Sequence, residues 1–261
     1  MTILPSNMRR FILVLGTLVM VYLLVLNIII SDVYRPSPDA QAGTLELTRD
    51  DLAEHNHALW IHGEWEWYPN RFLTMDDLPH TAPQYIKGAA PWPSFDDTPG
   101  SFGFGTYRLH VVVPSPGRYS LFVPWVNTAY RLYVDGELKI AVGNPGTHPG
   151  NHVSQYRPTQ TSITIPERTF DMLIHVGNFS HPLGGLVKPI LFGSQPNVTS
   201  VITLQHATNT FIIAAMLVVA SIVLMFYGKS HRETRLLYIA GIAVILALRT
   251  MLSTSMIIYR V

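Results

Sequence analysis

Two carboxylates stand two residues apart in 64-EWEW-67, and a close pair of carboxylates is the equipment of glycoside hydrolysis. On a strand, residues i and i+2 share a face, so Glu64 and Glu66 point one way while Trp65 and Trp67 point the other. That geometry equally describes the solvated side of an ordinary β-sandwich. With no third group nearby to mark a cleft, the solvated reading carries more weight. Asp96-Asp97 is a turn signal first and a cation site second. His55, His57 and His62 lie close together, and His148 and His152 share a loop, but neither set has a helical frame to aim two imidazoles at one metal. Loop histidines in solvent are the expectation. The chain has no cysteine, which excludes disulfides and cysteine-based zinc or redox sites. No phosphate loop, nucleophile elbow or zinc-protease motif is present. Neither a cofactor nor an enzyme activity is expected.

The five tryptophans, at 60, 65, 67, 92 and 125, are the other chemistry-bearing set. A flat indole face suits sugar C–H groups, and it also fills a sandwich core. Alternation assigns Trp65 and Trp67 to the core. Trp92 sits in the Pro-rich segment 91-PWPSFDDTPG-100, where a loop and an exposed indole are expected, and it is the leading ligand-contact candidate. The Gly-rich segments 143-GNPGTHPGN-151 and 181-HPLGGL-186 would shape a pocket beside it, which adds Asn144, His148, His181 and Gly184 as ligand-binding candidates. Long structural turns are the alternative reading of both segments.

These residues need strands to hold them. Between Leu59 and Gly193 the sequence shows short alternating runs broken by Gly, Pro and Asn or Asp, with no helical stripe. The runs are 59–69, 105–114, 118–126, 129–142, 161–166, 170–179 and 186–193. Seven or eight strands at this spacing suggest a sandwich or jelly roll. In 129-AYRLYVDGELKIAVG-143, Asp135-Gly136 marks a hairpin turn. A strict two-residue loop would set Val134 against Glu137 and Leu132 against Lys139, mixing apolar and charged side chains on one face. A three-residue loop with a Gly bulge pairs Val134 with Leu138, Leu132 with Ile140 and Tyr130 with Val142, and is preferred.

Three apolar runs surround this sheet protein. Phe11 to Ile30 has twenty residues without a charge, enough to span a hydrocarbon core of about 30 Å. Phe211 to Tyr227 and Leu236 to Tyr259 follow the sheet, separated by 228-GKSHRETR-235. Arg9 and Arg10 before the first run, and the basic residues of the connection, place both on the cytoplasmic side by the positive-inside bias, with residues 43–206 outside. A cleaved signal peptide is the rival reading of the first run, with Ala40-Gln41-Ala42 as its site. The expected plan is a cytoplasmic N-terminus (1–10), an anchor helix (11–30), a linker (31–44), an exported β-sandwich (45–196), a membrane helix (207–227), a cytoplasmic loop (228–235) and a last membrane helix (236–259). The exported stretch from Ser31 to His206 holds 16 Asp and Glu against 11 Lys and Arg. That excess excludes a nucleic-acid footprint and favours a neutral or mildly cationic ligand.

The succession 63-GEWEWYPNRFL-73, 90-APWPSF-95, 103-GFGTYRLHVVVP-114, 129-AYRLYVDGELKIAVGNPG-146, 174-IHVGNFSHPLGGL-186 and 190-ILFG-193 resembles the jelly-roll extracellular domain of bacterial seven-transmembrane receptors with diverse intracellular signalling modules. The segment 236-LLYIAGIAVILALRTMLS-253 is similar to that family's second bundle helix. The resemblance implies an all-β jelly-roll or galactose-binding-like sandwich with three transmembrane helices in the bacterial inner membrane. It implies a sensory role, with five more helices and a cytoplasmic histidine kinase or diguanylate cyclase domain beyond this chain. A membrane-tethered, partner-binding sandwich is the alternative. The partners expected are the lipid bilayer, a small-molecule or carbohydrate ligand, the further helices of the same receptor and a second copy of the chain. Arg249 lies deep in the last apolar run, where a charge normally faces a bundle interior, and its partner is expected in those further helices.

Overall fold

The computed structural model describes residues 38–53, 58–94, 100–229 and 234–258. The expected anchor helix 11–30, His55, His57, Asp96, Asp97 and residues 230–233 of the 228–235 connection lie outside the described residues. Eleven strands form among the described residues: β1 (Thr44–Glu46), β2 (Leu59–Ile61), β3 (Glu64–Pro69), β4 (Gln84–Lys87), β5 (Gly103–Val112), β6 (Gly117–Val123), β7 (Ala129–Val134), β8 (Glu137–Val142), β9 (Thr159–Ile165), β10 (Thr169–Asn178) and β11 (Ile190–Gly193). A short helix α1 (Arg49–Ala53) precedes β2, and two long helices, α2 (Gln195–Lys229) and α3 (Arg235–Ile258), follow β11.

The strands make a β-sandwich. One sheet runs β4-β3-β5-β10-β7-β8, with β1 added in parallel to the far half of β5, and the other runs β2-β11-β6-β9. Alternation supplies the core between them. Leu109, Leu132, Ile174 and Phe170 come from the large sheet, Leu121, Ile163, Ile190 and Phe192 from the small one, in one cluster of buried residues. Trp65 and Trp67 are fully buried in it, as alternation requires. The expected single run 59–69 instead changes sheets at His62-Gly63, where Gly63 adopts φ +96°.

The hairpin combines both registers weighed from sequence. Asp135 and Gly136 both have positive φ, +48° and +80°, which is a two-residue turn, and Val134 faces Glu137. A bulge between Leu132 and Tyr133 then absorbs one residue of β8, restoring Leu132 to Ile140 and Tyr130 to Val142. The extra residue therefore sits inside the ladder, not in the loop. Leu132, Ile140 and Val142 are buried while Leu138 is exposed.

The expected linker 31–44 is folded at its end. Ala40 is buried, its N–H donates to the His62 carbonyl and its carbonyl accepts from Glu64 N–H. Of the candidate cleavage site, Ala40 and Gln41 thus form single β-bridges, and Ala42 lies in the turn before β1. Helix α2 also differs from expectation, since it begins at Gln195 with only Ser194 between it and β11. Its 35 residues make a rod of about 52 Å. Val198 in its second turn is fully buried with Trp60, Phe122 and Leu191 on the outer surface of the small sheet. Gln160 donates to Thr199 Oγ1 at 3.2 Å and Ser162 to Gln195 Oε1 at 3.5 Å, so β9 adds polar ties. Further along, Ala220 and Val223 of α2 and Ala240 and Ala247 of α3 are buried. Small residues allow such close helix packing. Both helices are long and apolar enough to cross a membrane, and Phe211, Val218 and Met225 expose an apolar row at seven-residue spacing.

Candidate functional site

Trp92, the leading ligand-contact candidate, is not on the surface. It is fully buried, with its ring 5.4 Å from Trp67 and its Nε1 donating to Tyr107 Oη at 2.8 Å. The physical reason lies in Gly184-Gly185. The Trp92 N–H donates to the Gly184 carbonyl, and a Cβ on Gly184 would lie 2.4 Å from Trp92 Cε3 and 2.5 Å from the Ser101 carbonyl oxygen. Two adjacent residues without side chains let the indole pass beneath the loop. Gly184 is therefore a packing residue.

Trp125 is the one tryptophan that is not buried. Strand β6 ends at Val123, and Pro124 to Thr128 carry the chain across the sandwich end to β7. Trp125 Nε1 donates to Asn127 Oδ1 at 2.7 Å, which fixes the indole. Asn127 itself is buried and is held by the loop 181–186, its Nδ2 donating to the Leu183 carbonyl and lying 3.2 Å from His181 Nδ1. The Tyr156 ring stands 5.5 Å from Trp125 and 6.4 Å from His181. Burial pushes the Tyr156 hydroxyl pKa up, so it remains a neutral donor. A backbone N–H can only donate, and that of Leu183 points at His181 Nδ1 at 3.1 Å. Nδ1 is therefore the acceptor, the ring proton sits on Nε2, and Nε2 makes no hydrogen bond among the described residues. Beneath these rings, Trp125, Tyr130, Tyr156 and Arg157 line a cavity of about 10 Å³, the size of one water.

Of the sequence candidates, the structure brings His181 to this site. Asn144 works inside its own loop, accepting from Arg131 Nη2 at 3.1 Å and donating to the Asn151 carbonyl at 2.6 Å. His148 is exposed at the start of a short 3-10 turn, where Asn151 Oδ1 accepts from its N–H and from that of Thr147. His152 is not a free loop histidine. Its Nδ1 donates to the Pro145 carbonyl at 2.9 Å, leaving Nε2 to accept from Thr128 Oγ1 at 2.8 Å. Arg249 is exposed on α3 and is not without an interaction in this chain.

Sequence reasoning passed over Trp125, Tyr156 and Asn127. The signal was the Pro-Trp step at the end of an apolar strand, where β6 must stop and its next side chain leaves the core. The carboxylate pair separates as well. Glu64 is exposed, whereas Glu66 is buried, accepting from Tyr68 Oη at 2.7 Å and from Arg108 Nη1 at 2.9 Å. Arg108 also binds Asp171 at 2.8 Å, and His110 Nδ1 lies 3.2 Å from the same oxygen. An Arg clamped between two acids is a cross-strand tie over β3, β5 and β10. No group of three or more His, Cys, Asp or Glu able to hold a metal occurs among the described residues.

No family model matches the chain, and no curated protein matches it. Solved structures similar to it include a GH2 β-galacturonidase from Eisenbergiella tayi bound to galacturonate, at 14% identity and a TM-score of 0.37, with 52% of this chain and 24% of that one covered. A β-glucuronidase from Faecalibacterium prausnitzii has 14% identity and a TM-score of 0.39, with 52% and 31% covered. One from Ruminococcus gnavus has 11% identity and a TM-score of 0.38, with 52% and 28% covered. The chain spans a quarter to a third of the length of these glycosidases.

Proposed function

We propose that this chain is the input half of a bacterial membrane receptor of the seven-transmembrane type with diverse intracellular signalling modules. In this reading a jelly-roll, galactose-binding-like sandwich sits outside the inner membrane. It takes a small ligand, a carbohydrate or a relative of one, on the Trp125, Tyr156 and His181 surface, and passes the event along α2. The supporting observation is the continuity of β11, Ser194 and α2, whose second turn is packed on the small sheet before the apolar part begins. A binding surface at the start of β11 and a membrane helix at its end share a four-residue strand. A receptor needs that connection, and a tethered bystander domain does not.

The second reading, a partner-binding sandwich, draws support from Phe102, Val153 and Leu183, which are large, apolar and exposed. One experiment separates the two. A thermal-shift screen of the full chain in detergent against monosaccharides and uronic acids should give a hit that stabilises by about 2.7 kcal/mol at 100 times its dissociation constant. Trp125→Ala should abolish that shift while leaving the ligand-free melting temperature within a degree or two. A hit indifferent to Trp125 would refute the site. Topology is checked alongside, because the chain lacks cysteine: an impermeant thiol reagent should label Thr147→Cys but not Ser230→Cys in intact cells.

A further inference from the structure

We infer that the ligand of the Trp125 surface is a small organic anion, a carboxylate-bearing molecule with a face that lies on the indole. The inference rests on the binding reading given above and narrows its chemistry, reversing the expectation drawn from the acidic balance of the whole domain.

Among the described residues from Gly100 to Gly193, the acids all lie away from the Trp125 end of the sandwich. The segments at the Trp125 end, 100–105, 124–129, 143–158 and 178–189, carry Arg157, Lys188, His148, His152 and His181 and not one Asp or Glu. Between Gly100 and Gly193 the acids are Asp135, Glu137, Glu167 and Asp171. These occupy the β7–β8 turn, the β9–β10 turn and the start of β10. The ladder of β10 against β5, from Thr169 with Val112 to Asn178 with Gly103, puts them at the opposite end. Ten residues of strand are about 30 Å, and exposed charges are screened beyond about 8–10 Å at physiological salt. A ligand at Trp125 is therefore screened from those four acids, and among the described residues the guanidinium of Arg157 is the charge beside it.

Some of the remote acids are also spent. Asp171 takes Arg108 and His110, and Asp135 Oδ1 accepts from Asp171 N–H at 2.8 Å. Arg157 is not. Among the described residues Arg157 has no ion pair, its Nη2 donates only to the Ala141 carbonyl at 3.3 Å, and its Nε is without a partner. Arg157 lines the same cavity as Trp125 and Tyr156, and His181 beside them holds its proton on the unused Nε2. A guanidinium and an imidazole N–H flanking an aromatic platform suit a carboxylate on a ring.

Collisional quenching of the full chain in an uncharged detergent tests this, since Trp125 is the unburied indole and Trp125→Phe defines its share of the emission. A local potential of one kT enriches iodide and depletes caesium by about 2.7-fold each, so iodide should quench Trp125 about sevenfold better than caesium. Arg157→Gln should bring that ratio towards one. Glucuronate should protect Trp125 from neutral acrylamide more than glucose does at equal ionic strength. Caesium quenching as well as iodide, equal protection by glucose, or none by glucuronate overturns the anion assignment while leaving the surface itself in place. Inaccessibility of Trp125 to acrylamide from the outset would instead sink the underlying binding reading.

Discussion

At the end where β11 runs into α2, Val198, Trp60, Phe122 and Leu191 close an apolar seam, and β9 adds hydrogen bonds to the first helical turns. A few residues further along the same strands, Trp125, Tyr156 and His181 stand on loops fixed by polar side chains, with Asn127 and Asn178 buried beneath them. The first region is held by surface removed from water, which is strong and indifferent to direction. The second is held by directional bonds, which fix side chains in place while leaving faces open. One region is suited to carrying force and the other to recognition. The same two strands, β6 and β11, join them.

The sharpest way to break that comparison is to exchange the roles of two tryptophans. Trp92→Ala removes a fully buried indole, opens a cavity against Trp67 and takes the Nε1 donor from Tyr107, and should cost about 3–5 kcal/mol. Thermal unfolding of the full chain in detergent, followed by near-UV circular dichroism, should show a large loss for Trp92→Ala and a change within about 0.5 kcal/mol for Trp125→Ala. Equal losses would mean that Trp125 is as structural as Trp92, and the recognition end would lose its platform.

The difference between those tryptophans marks how far the sequence is legible. Alternation placed Trp65 and Trp67 correctly, because a strand's period of two is enforced by the backbone itself. It had no hold on Trp92 or Trp125, which lie where the period breaks. For Trp92 the decisive contact is with Gly184-Gly185, about ninety residues away, and such a pairing has no local signature. The hairpin shows the same limit on a smaller scale. Asp135-Gly136 specified the turn and side-chain burial specified the far register, but neither located the bulge in β8 that reconciles them. Charge was the most misleading quantity, since a domain-wide sum conceals that the described residues around Trp125 include Arg157 and no acid from Gly100 to Gly193.

A second intervention addresses the seam. Val198→Asp places a carboxylate without a partner among Trp60, Phe122 and Leu191, at a cost of about 3 kcal/mol to that contact. Hydrogen exchange should then accelerate over Gln195–His206 while the amides of β10 keep their protection. If β10 loses protection equally, the seam is part of the global fold and does not act as a separable coupling.

The smallest effect concerns a strap that joins β3 to β4 across the outer face of the large sheet. His175 of β10 projects to that face, stacked under Phe72 at 4.9 Å, beside Tyr133, with its Nε2 donating to the Leu73 carbonyl at 2.8 Å. Burial lowers its pKa, a lowering that the nearby Arg131 reinforces and that the bond to Leu73 partly offsets. The folded chain therefore binds this proton less readily than the unfolded chain, whose value is near 6.5. Stability from this group is complete above that pH and is lost as the pH falls through it towards the lower folded value, because protons then favour the unfolded state. His175→Gln retains an amide N–H for the Leu73 carbonyl without the titration. Melting temperature measured from neutral to mildly acidic pH should fall less steeply in the variant than in the wild type. If the slopes coincide, protonation at His175 is accommodated within the fold, and the strap is held by Leu73 and the bond from its N–H to Thr106 Oγ1 instead.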